Sequence, residues 1–201
     1  MKGELYANKT RHPRKARAIS TSLSQRALVS LRGRLKMSRP PKLCLVCSRG
    51  GHLTQLLKLE KVFSQRSHFL ITTTGEGQAA ESSHFKKIYF ITDINEWRWL
   101  KNPFNFLRAI LQTLRIFFVE RPDFVISTGS GIAVPSFLLA ALFKTKSIFV
   151  EDGARVRFPS RAGKACYYLA DLFFVQHAEM CEELPDAIYQ GALCENLVSD
   201  L

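Results

Sequence analysis

The distribution of apolar positions changes character at Pro40-Pro41. Beyond that point, short apolar runs bounded by turn residues alternate with longer stretches at helical spacing. Strands are predicted over Lys42–Cys47, His68–Thr73, Lys87–Ile91, Phe124–Ser127, Lys146–Val150 and Leu172–Gln176. Helices are predicted over Leu53–Phe63, where Leu53, Leu56, Leu57 and Leu59 recur at helical spacing, and over Phe104–Val119, Ile132–Phe143 and Gly163–Leu169. Gly75–Ser83 reads as a loop with a short helix at most. Arg121-Pro122 ends the long helix, since proline disfavours helical backbone at the residue before it. Strands alternating with helices imply a parallel sheet with helices on both faces, and right-handed crossovers make it Rossmann-like, an α/β fold. The pattern holds one such domain, 42–201, with no internal repeat.

Charge separates the arm before this domain from the domain itself. Residues 1–39 carry 11 Lys and Arg against one acid, Glu4, so ten of the twelve net positive charges lie there. The basic arm, 1–41, has no sustained apolar run and cannot bury enough surface to offset its chain entropy. It reads as a disordered tail or as an electrostatic attachment to an anionic membrane surface. Nucleic-acid binding ranks below both, because Tyr6 is the only aromatic residue among the charges, and no nucleic-acid partner is expected. The arm lacks the apolar core of a secretory signal, and no stretch is long and apolar enough to predict a membrane span. Five cysteines, an odd number, argue for free thiols in a reducing compartment. Cys44 and Cys47 form a C-x-x-C, but it lies in a strand-like run that puts the two side chains on opposite faces. No second pair stands at zinc spacing, so neither a metal nor a cofactor is expected.

In a sheet of this kind, ligands bind beyond the carboxyl ends of the strands. Three loops at that edge hold unusual residues. Ser48-Arg49-Gly50-Gly51-His52 places two glycines before a helix start, where backbone can approach a phosphate. His52 is a candidate general base, because an ordinary imidazole pKa of about 6.5 suits proton transfer at neutral pH; capping the helix is the alternative. Thr128-Gly129-Ser130-Gly131 repeats the arrangement after another strand, and two such loops side by side would suit a diphosphate. Glu151-Asp152-Gly153-Ala154-Arg155 sets two carboxylates beside Arg155 and Arg157, suited to sugar hydroxyls or to a salt-bridged loop.

Four blocks carry a resemblance: Val46–Leu53, Ile126–Pro135, Phe149–Val156 and Ala170–Gln176. In this order they resemble the membrane-anchoring subunit of the eukaryotic transferase that adds the second GlcNAc to dolichyl-diphosphate-GlcNAc, together with its bacterial polysaccharide-biosynthesis counterparts. The likeness runs from about Lys42 to about Gly191. More distantly, the glycine loops are similar to those of the peptidoglycan lipid-intermediate GlcNAc transferase. The resemblance implies the N-terminal, acceptor-binding half of a GT-B fold. A separate donor-binding glycosyltransferase subunit completes the enzyme, which transfers a sugar with inversion onto a polyprenyl-diphosphate-linked saccharide at the cytoplasmic membrane face. It implies His52 as base, Gly50, Gly51, Gly129, Ser130 and Gly131 around the diphosphate, and Glu151 near the acceptor sugar and as a second candidate for catalysis; the same loops add Arg49 and Thr128 as diphosphate contacts and Asp152 and Arg155 as acceptor-sugar contacts. Eukaryotic members begin with a transmembrane helix, where this chain has its basic arm, and Arg49 stands where small residues are usual. Both departures point to the bacterial branch. An alternative reading keeps the fold but makes the chain a non-catalytic anchor or activator of its partner.

Two expectations concern surfaces. Phe104–Val119 shows Phe104, Leu107, Ile110, Leu111, Leu114 and Phe118 on one broad face, taken to meet the sheet. Phe106, Ile116 and Phe117 are left over, with Trp97 and Trp99 just upstream and Arg98, Lys101, Arg108 and Arg115 around them. That surplus predicts a monotopic contact with the membrane through Trp97, Trp99, Phe106 and Phe117. The stretch from Ala187 to Leu201 is too apolar for a solvated tail and is expected to dock the partner.

Overall fold

A computed structural model describes residues 40–74, 84–94 and 103–193. Residues 1–39 of the basic arm, Gly75–Ser83, Trp97 and Trp99, Cys194, Leu197 and Leu201 lie outside the described residues. The elements are β1 (Leu43–Val46), α1 (Gly51–Leu57), α2 (Glu60–Phe63), β2 (His68–Thr73), β3 (Ile88–Ile91), α3 (Pro103–Glu120), β4 (Phe124–Ser127), α4 (Ala133–Phe143), β5 (Lys146–Val150), α5 (Arg161–Tyr167), β6 (Leu172–Val175), a 3₁₀ turn (Ala178–Glu182) and β7 (Ile188–Tyr189). One parallel sheet runs in the order β3-β2-β1-β4-β5-β6-β7. This is the Rossmann-like sheet that the alternation of elements predicts.

Alternation along the strands feeds two cores. Cys44, Val46, Phe69, Ile71, Val125, Phe149 and Phe173 pack with residues of α3, α4 and α5 on one face. Leu43, Leu45, Cys47, Leu70 and Ile126 pack with Leu56 of α1 and Phe63 of α2 on the other. Cys44 and Cys47 thus sit in different cores, as period-two spacing requires. Burial pushes both the Cys44 and Cys166 thiols up.

The structure departs from the sequence reading in three elements. The helix expected over Leu53–Phe63 breaks at Lys58–Leu59 into α1 and α2, and α1 begins two residues earlier, at Gly51. Ala187 and Ile188 are buried, and Ile188–Tyr189 adds a seventh strand beside β6. Ala187 and Ile188 are therefore core of this domain rather than part of a docking tail, while Tyr189 is exposed and residues 194–201 of the expected tail lie outside the described residues.

The third departure is the orientation of α3. Its sheet-facing side is built from Ala109, Thr113, Ile116, Phe117 and Glu120, all buried. Most of the broad face assigned to the core points outward: Phe104 is 81% exposed, Leu107 53%, Leu111 56% and Phe118 60%, while Ile110 and Leu114 are half-buried. Phe117, expected at a membrane, is 3% exposed and packs against Phe143, and Phe106 is half-buried against the same core. The physical reason is side-chain size. Ala109 and Thr113 let the helix approach closely, and the Thr113 hydroxyl is satisfied by the Ala109 carbonyl at 2.8 Å. The end of α3 is tied down by Glu120, which meets Lys42, Lys87 and the Tyr89 hydroxyl. Burial alone would raise the Glu120 carboxyl, but these partners hold it at about 2.

Candidate functional site

The strand order reverses between β1 and β4, so the loops leaving their carboxyl ends diverge and open a crevice. His52 opens onto it from the first turn of α1, its side chain 24% exposed. Its Nδ1 lies 2.9 Å from the Thr128 carbonyl oxygen. The Thr128 hydroxyl in turn donates to the His52 carbonyl at 2.7 Å. This reciprocal clasp ties α1 to the loop after β4. A carbonyl only accepts, so His52 Nδ1 carries a proton, and in the neutral ring the free lone pair is the one on Nε2.

The glycines divide into two kinds. Gly50 has φ of 75°, a conformation that favours glycine, and nothing stands within 4 Å of where a Cβ would sit on Gly50 or Gly51. This part of the edge is open to a ligand. A Cβ on Gly129 would lie 2.8 Å from the His52 ring, and one on Gly131 would lie 2.1 Å from the Ile94 carbonyl oxygen. Those two glycines make room for protein. Between them Ser130 is held at φ of 87°, and Ser127 Oγ takes the Gly129 N–H at 3.1 Å. Thr128 and Ser130 are buried, and Arg49 is half-buried beside Gly50.

The two carboxylates of the third loop also have different surroundings. Glu151 is 0% exposed. It accepts from the Asp152 N–H at 3.0 Å and from the Ser160 N–H and hydroxyl at 3.1 and 3.3 Å. A Cβ on Gly163 would come within 1.8 Å of Glu151 Oε2. Burial pushes the Glu151 carboxyl up, the hydrogen bonds from Asp152 and Ser160 offsetting part of the rise. The expectation that Glu151 touches the acceptor sugar or acts as base is corrected here, because its side chain is turned inward and its oxygens hold the 151–160 loop to the start of α5.

Asp152 is the carboxylate that reaches the crevice, half-buried, with Oδ2 at 3.9 Å from His52 Nδ1. Its Oδ1 accepts from Gln55 Nε2 at 2.7 Å and from the Ala154 N–H at 3.0 Å. Burial alone would raise this carboxyl, but those hydrogen bonds, the His52 ring when it is protonated and the charge of Arg155 outweigh it and leave the pKa below the ordinary value. Arg155 is exposed on the same loop. The sequence reading gave no role to Gln55, Gln176 or His177. Gln176 and His177 follow β6 at the same sheet edge, Gln55 follows His52 by three residues on α1, and His177 Nε2 donates to the Gly153 carbonyl at 2.7 Å. Helical spacing from His52 and the end of β6 were the signals that pointed to them.

Comparison with known proteins agrees with this fold. A family model described as "Oligosaccharide biosynthesis protein Alg14 like" matches residues 43–193. The UDP-N-acetylglucosamine transferase subunit ALG14 of Homo sapiens is 28% identical over 176 residues, covering 74% of this chain and 81% of that protein. Its Schizosaccharomyces pombe counterpart is 27% identical over 164 residues, covering 71% and 78%. The UDP-N-acetylglucosamine--N-acetylmuramyl-(pentapeptide) pyrophosphoryl-undecaprenol N-acetylglucosamine transferase of Geobacillus kaustophilus is 29% identical over 107 residues, 52% of this chain and 29% of that protein. Among solved structures, MurG of Acinetobacter baumannii superposes with a TM-score of 0.55 at 20% identity, over 68% of this chain and 41% of that one. UDP-N-acetylglucosamine 2-epimerase of Rickettsia bellii superposes with a TM-score of 0.60 at 17% identity, over 81% and 47%. This chain therefore spans less than half the length of either structure, and the likeness to them is one of fold, the N-terminal Rossmann-like half of a GT-B protein. With a family match running from β1 to beyond β7, the chain belongs to the Alg14-like oligosaccharide biosynthesis family.

Proposed function

We propose that this chain is the acceptor-binding subunit of a two-component inverting glycosyltransferase. A separate donor-binding subunit supplies the nucleotide sugar, and the acceptor is a polyprenyl-diphosphate-linked saccharide. The relatives named as UDP-N-acetylglucosamine transferase subunits support this reading. They make N-acetylglucosamine the first donor sugar to try. The observation that carries the reading is the His52–Thr128 clasp, which engages Nδ1 with a carbonyl and leaves Nε2 as the nitrogen that would accept a proton at the crevice.

In the reaction, the acceptor hydroxyl oxygen bonds to the anomeric carbon of the donor sugar as the bond to the nucleoside diphosphate breaks. The diphosphate leaves with the electron pair, and the hydroxyl proton passes to His52 Nε2. Attack opposite the leaving group inverts the configuration. The acceptor diphosphate lies against the open backbone of Gly50 and Gly51, with Arg49 and the Thr128–Gly131 turn alongside, and Asp152 and Arg155 border the acceptor sugar. The relatives are named as subunits of a transferase, so in this reading the chain is expected to be inactive without its partner.

The acceptor lipid stays in the bilayer, so in this reading the chain works at a membrane surface, taken to be the cytoplasmic one. No described helix is long and apolar enough to cross a membrane. The outward face of α3 continues onto α4 through the Phe118–Phe143 ring contact, with Leu142 of α4 71% exposed. Arg108, Arg115, Arg121 and Lys144 are exposed around it. The only acids between residues 103 and 144 are Glu120, which is buried, and Asp123, which is half-buried. An apolar face ringed by cations suits an anionic lipid surface.

The test is turnover of the assembled transferase with UDP-GlcNAc and a short-chain polyprenyl-diphosphate-GlcNAc. His52→Ala is expected to lower it by roughly 10²–10⁴-fold, the usual contribution of general acid–base catalysis. Unchanged turnover would move the base to the partner and make this chain an anchor.

A further inference from the structure

A run of hydrogen bonds crosses the sheet edge and ends beside His52. The Leu193 N–H, beyond β7, donates to Gln176 Oε1 at 3.0 Å. Gln176, buried at the end of β6, donates through Nε2 to the Glu151 carbonyl at 2.9 Å and to Gln55 Oε1 at 2.7 Å. Gln55 Oε1 also takes the Gly153 N–H at 3.2 Å, and Gln55 Nε2 donates to Asp152 Oδ1 at 2.7 Å.

Backbone groups fix the direction of this run. The Leu193 N–H can only donate and the Glu151 carbonyl can only accept, so the Gln176 amide has one workable orientation. The Gly153 N–H can only donate, so Gln55 must present its oxygen to Gly153 and its NH₂ to Asp152. Every bond therefore points its donor toward Asp152, whose remaining oxygen stands 3.9 Å from His52 Nδ1. That separation is too long for a hydrogen bond but close for a charge. His52 Nδ1–H is already satisfied by Thr128, so Asp152 has no role in choosing the tautomer.

We propose that Gln55 and Gln176 are positioning residues that hold the Asp152 carboxylate as the counter-charge for the imidazolium formed when His52 takes the acceptor proton. This rests on the reading of His52 as base. Asp152 is ionised well into the acid range, because its hydrogen bonds and neighbouring charges outweigh its burial. With Oδ1 saturated by Gln55 and Ala154, Oδ2 is the oxygen left for the charge contact. The relay is anchored at Leu193, so the chain that follows β7 is tied to the same site.

Steady-state kinetics of the assembled transferase, with the two probes above, test the proposal. Asp152→Asn, Gln55→Leu and Gln176→Leu are each expected to lower kcat by roughly 10- to 100-fold, the scale of a misplaced catalytic contact. The acceptor KM should stay within about two-fold, because the lost interaction is made only in the transition state. On an Asp152→Asn background, Gln55→Leu should have no further effect. Gln176→Glu keeps the acceptor for Leu193 but removes both donations, so it gives the same result should the leucine variant fail to fold. In the full chain alone, Gln176→Glu should strip hydrogen-exchange protection from the Gly153 amide.

A rise in acceptor KM with kcat unchanged would make Asp152 a sugar ligand and overturn the relay. Effects of Gln55 and Asp152 that simply multiply would reduce the glutamines to structural roles. Loss of activity in His52→Ala with wild-type kcat in the glutamine variants would remove the relay and leave the base in place. Full activity in His52→Ala would remove both.

Discussion

Glu151 and Asp152 are neighbours with the same chemistry, yet one is buried and the other borders the crevice. Chain direction decides this: at the end of β5 successive side chains point to opposite sides, and Glu151 falls on the side that α5 covers. Replacing Glu151 should therefore be read in stability. Glu151→Gln turns one accepting oxygen into an NH₂ facing a backbone donor and is expected to cost about 1 kcal/mol. Glu151→Ala leaves the Asp152 and Ser160 N–H groups without an acceptor and is expected to cost roughly 2–4 kcal/mol. Urea unfolding of the full chain measures both; an alanine variant as stable as wild type would mean that the loop has another anchor. His52 was legible in the sequence, since a polar residue after two glycines at a strand end has few uses. The inward turn of Glu151 was not, because it depends on Ser160 and Gly163, which approach it only in the folded chain. The glycines of Thr128–Gly131 stood out in the sequence between a strand and a helix start, but what fills the space beside them, His52 and Ile94, comes from distant parts of the sequence.

At the scale of elements, six strands were legible because a buried parallel strand leaves a short, nearly continuous apolar run. The seventh has two residues and no pattern of its own, and only β6 gives it a partner. The break between α1 and α2 left no mark either, since the leucines keep helical spacing across Lys58–Leu59. α3 shows why periodicity can pick the wrong face. Large apolar residues surround the helix, and the count favours the side with the most of them. Packing instead favours the side where Ala109 and Thr113 allow close approach. Ala109→Leu should thus destabilise the domain by roughly 1–3 kcal/mol through overpacking. Leu107→Ser, on the outward face, should stay within about 0.5 kcal/mol of wild type. Thermal unfolding of the two variants decides between the faces, and the reverse ranking would restore the orientation expected from the sequence.

At the scale of the molecule, the proposed function draws on two separate features. In that proposal the crevice at the carboxyl edge of the sheet would take the headgroup, and the outward face of α3 and α4 would meet the bilayer. A polyprenyl-diphosphate acceptor would use both, its diphosphate at Gly50 and Gly51 and its lipid in the bilayer. The sequence reading put the membrane contact at Phe106 and Phe117 of α3, which pack against the core, whereas the proposed contact uses the outward face of the same helix. Phe117→Ser would open a cavity in the core and cost roughly 3–5 kcal/mol, so it reports on folding alone. The informative variant combines Phe104→Ser, Leu111→Ser and Leu142→Ser, all at exposed positions. In co-sedimentation with vesicles containing anionic lipid, it should bind at least about ten-fold more weakly at low and high salt alike, since it removes apolar burial. Removing residues 1–39, with their 11 basic side chains, should instead weaken binding at low salt and have little effect at high salt, where exposed charges are screened. A folded triple variant that sediments like the parent would detach this face from the membrane and leave it free for a protein partner.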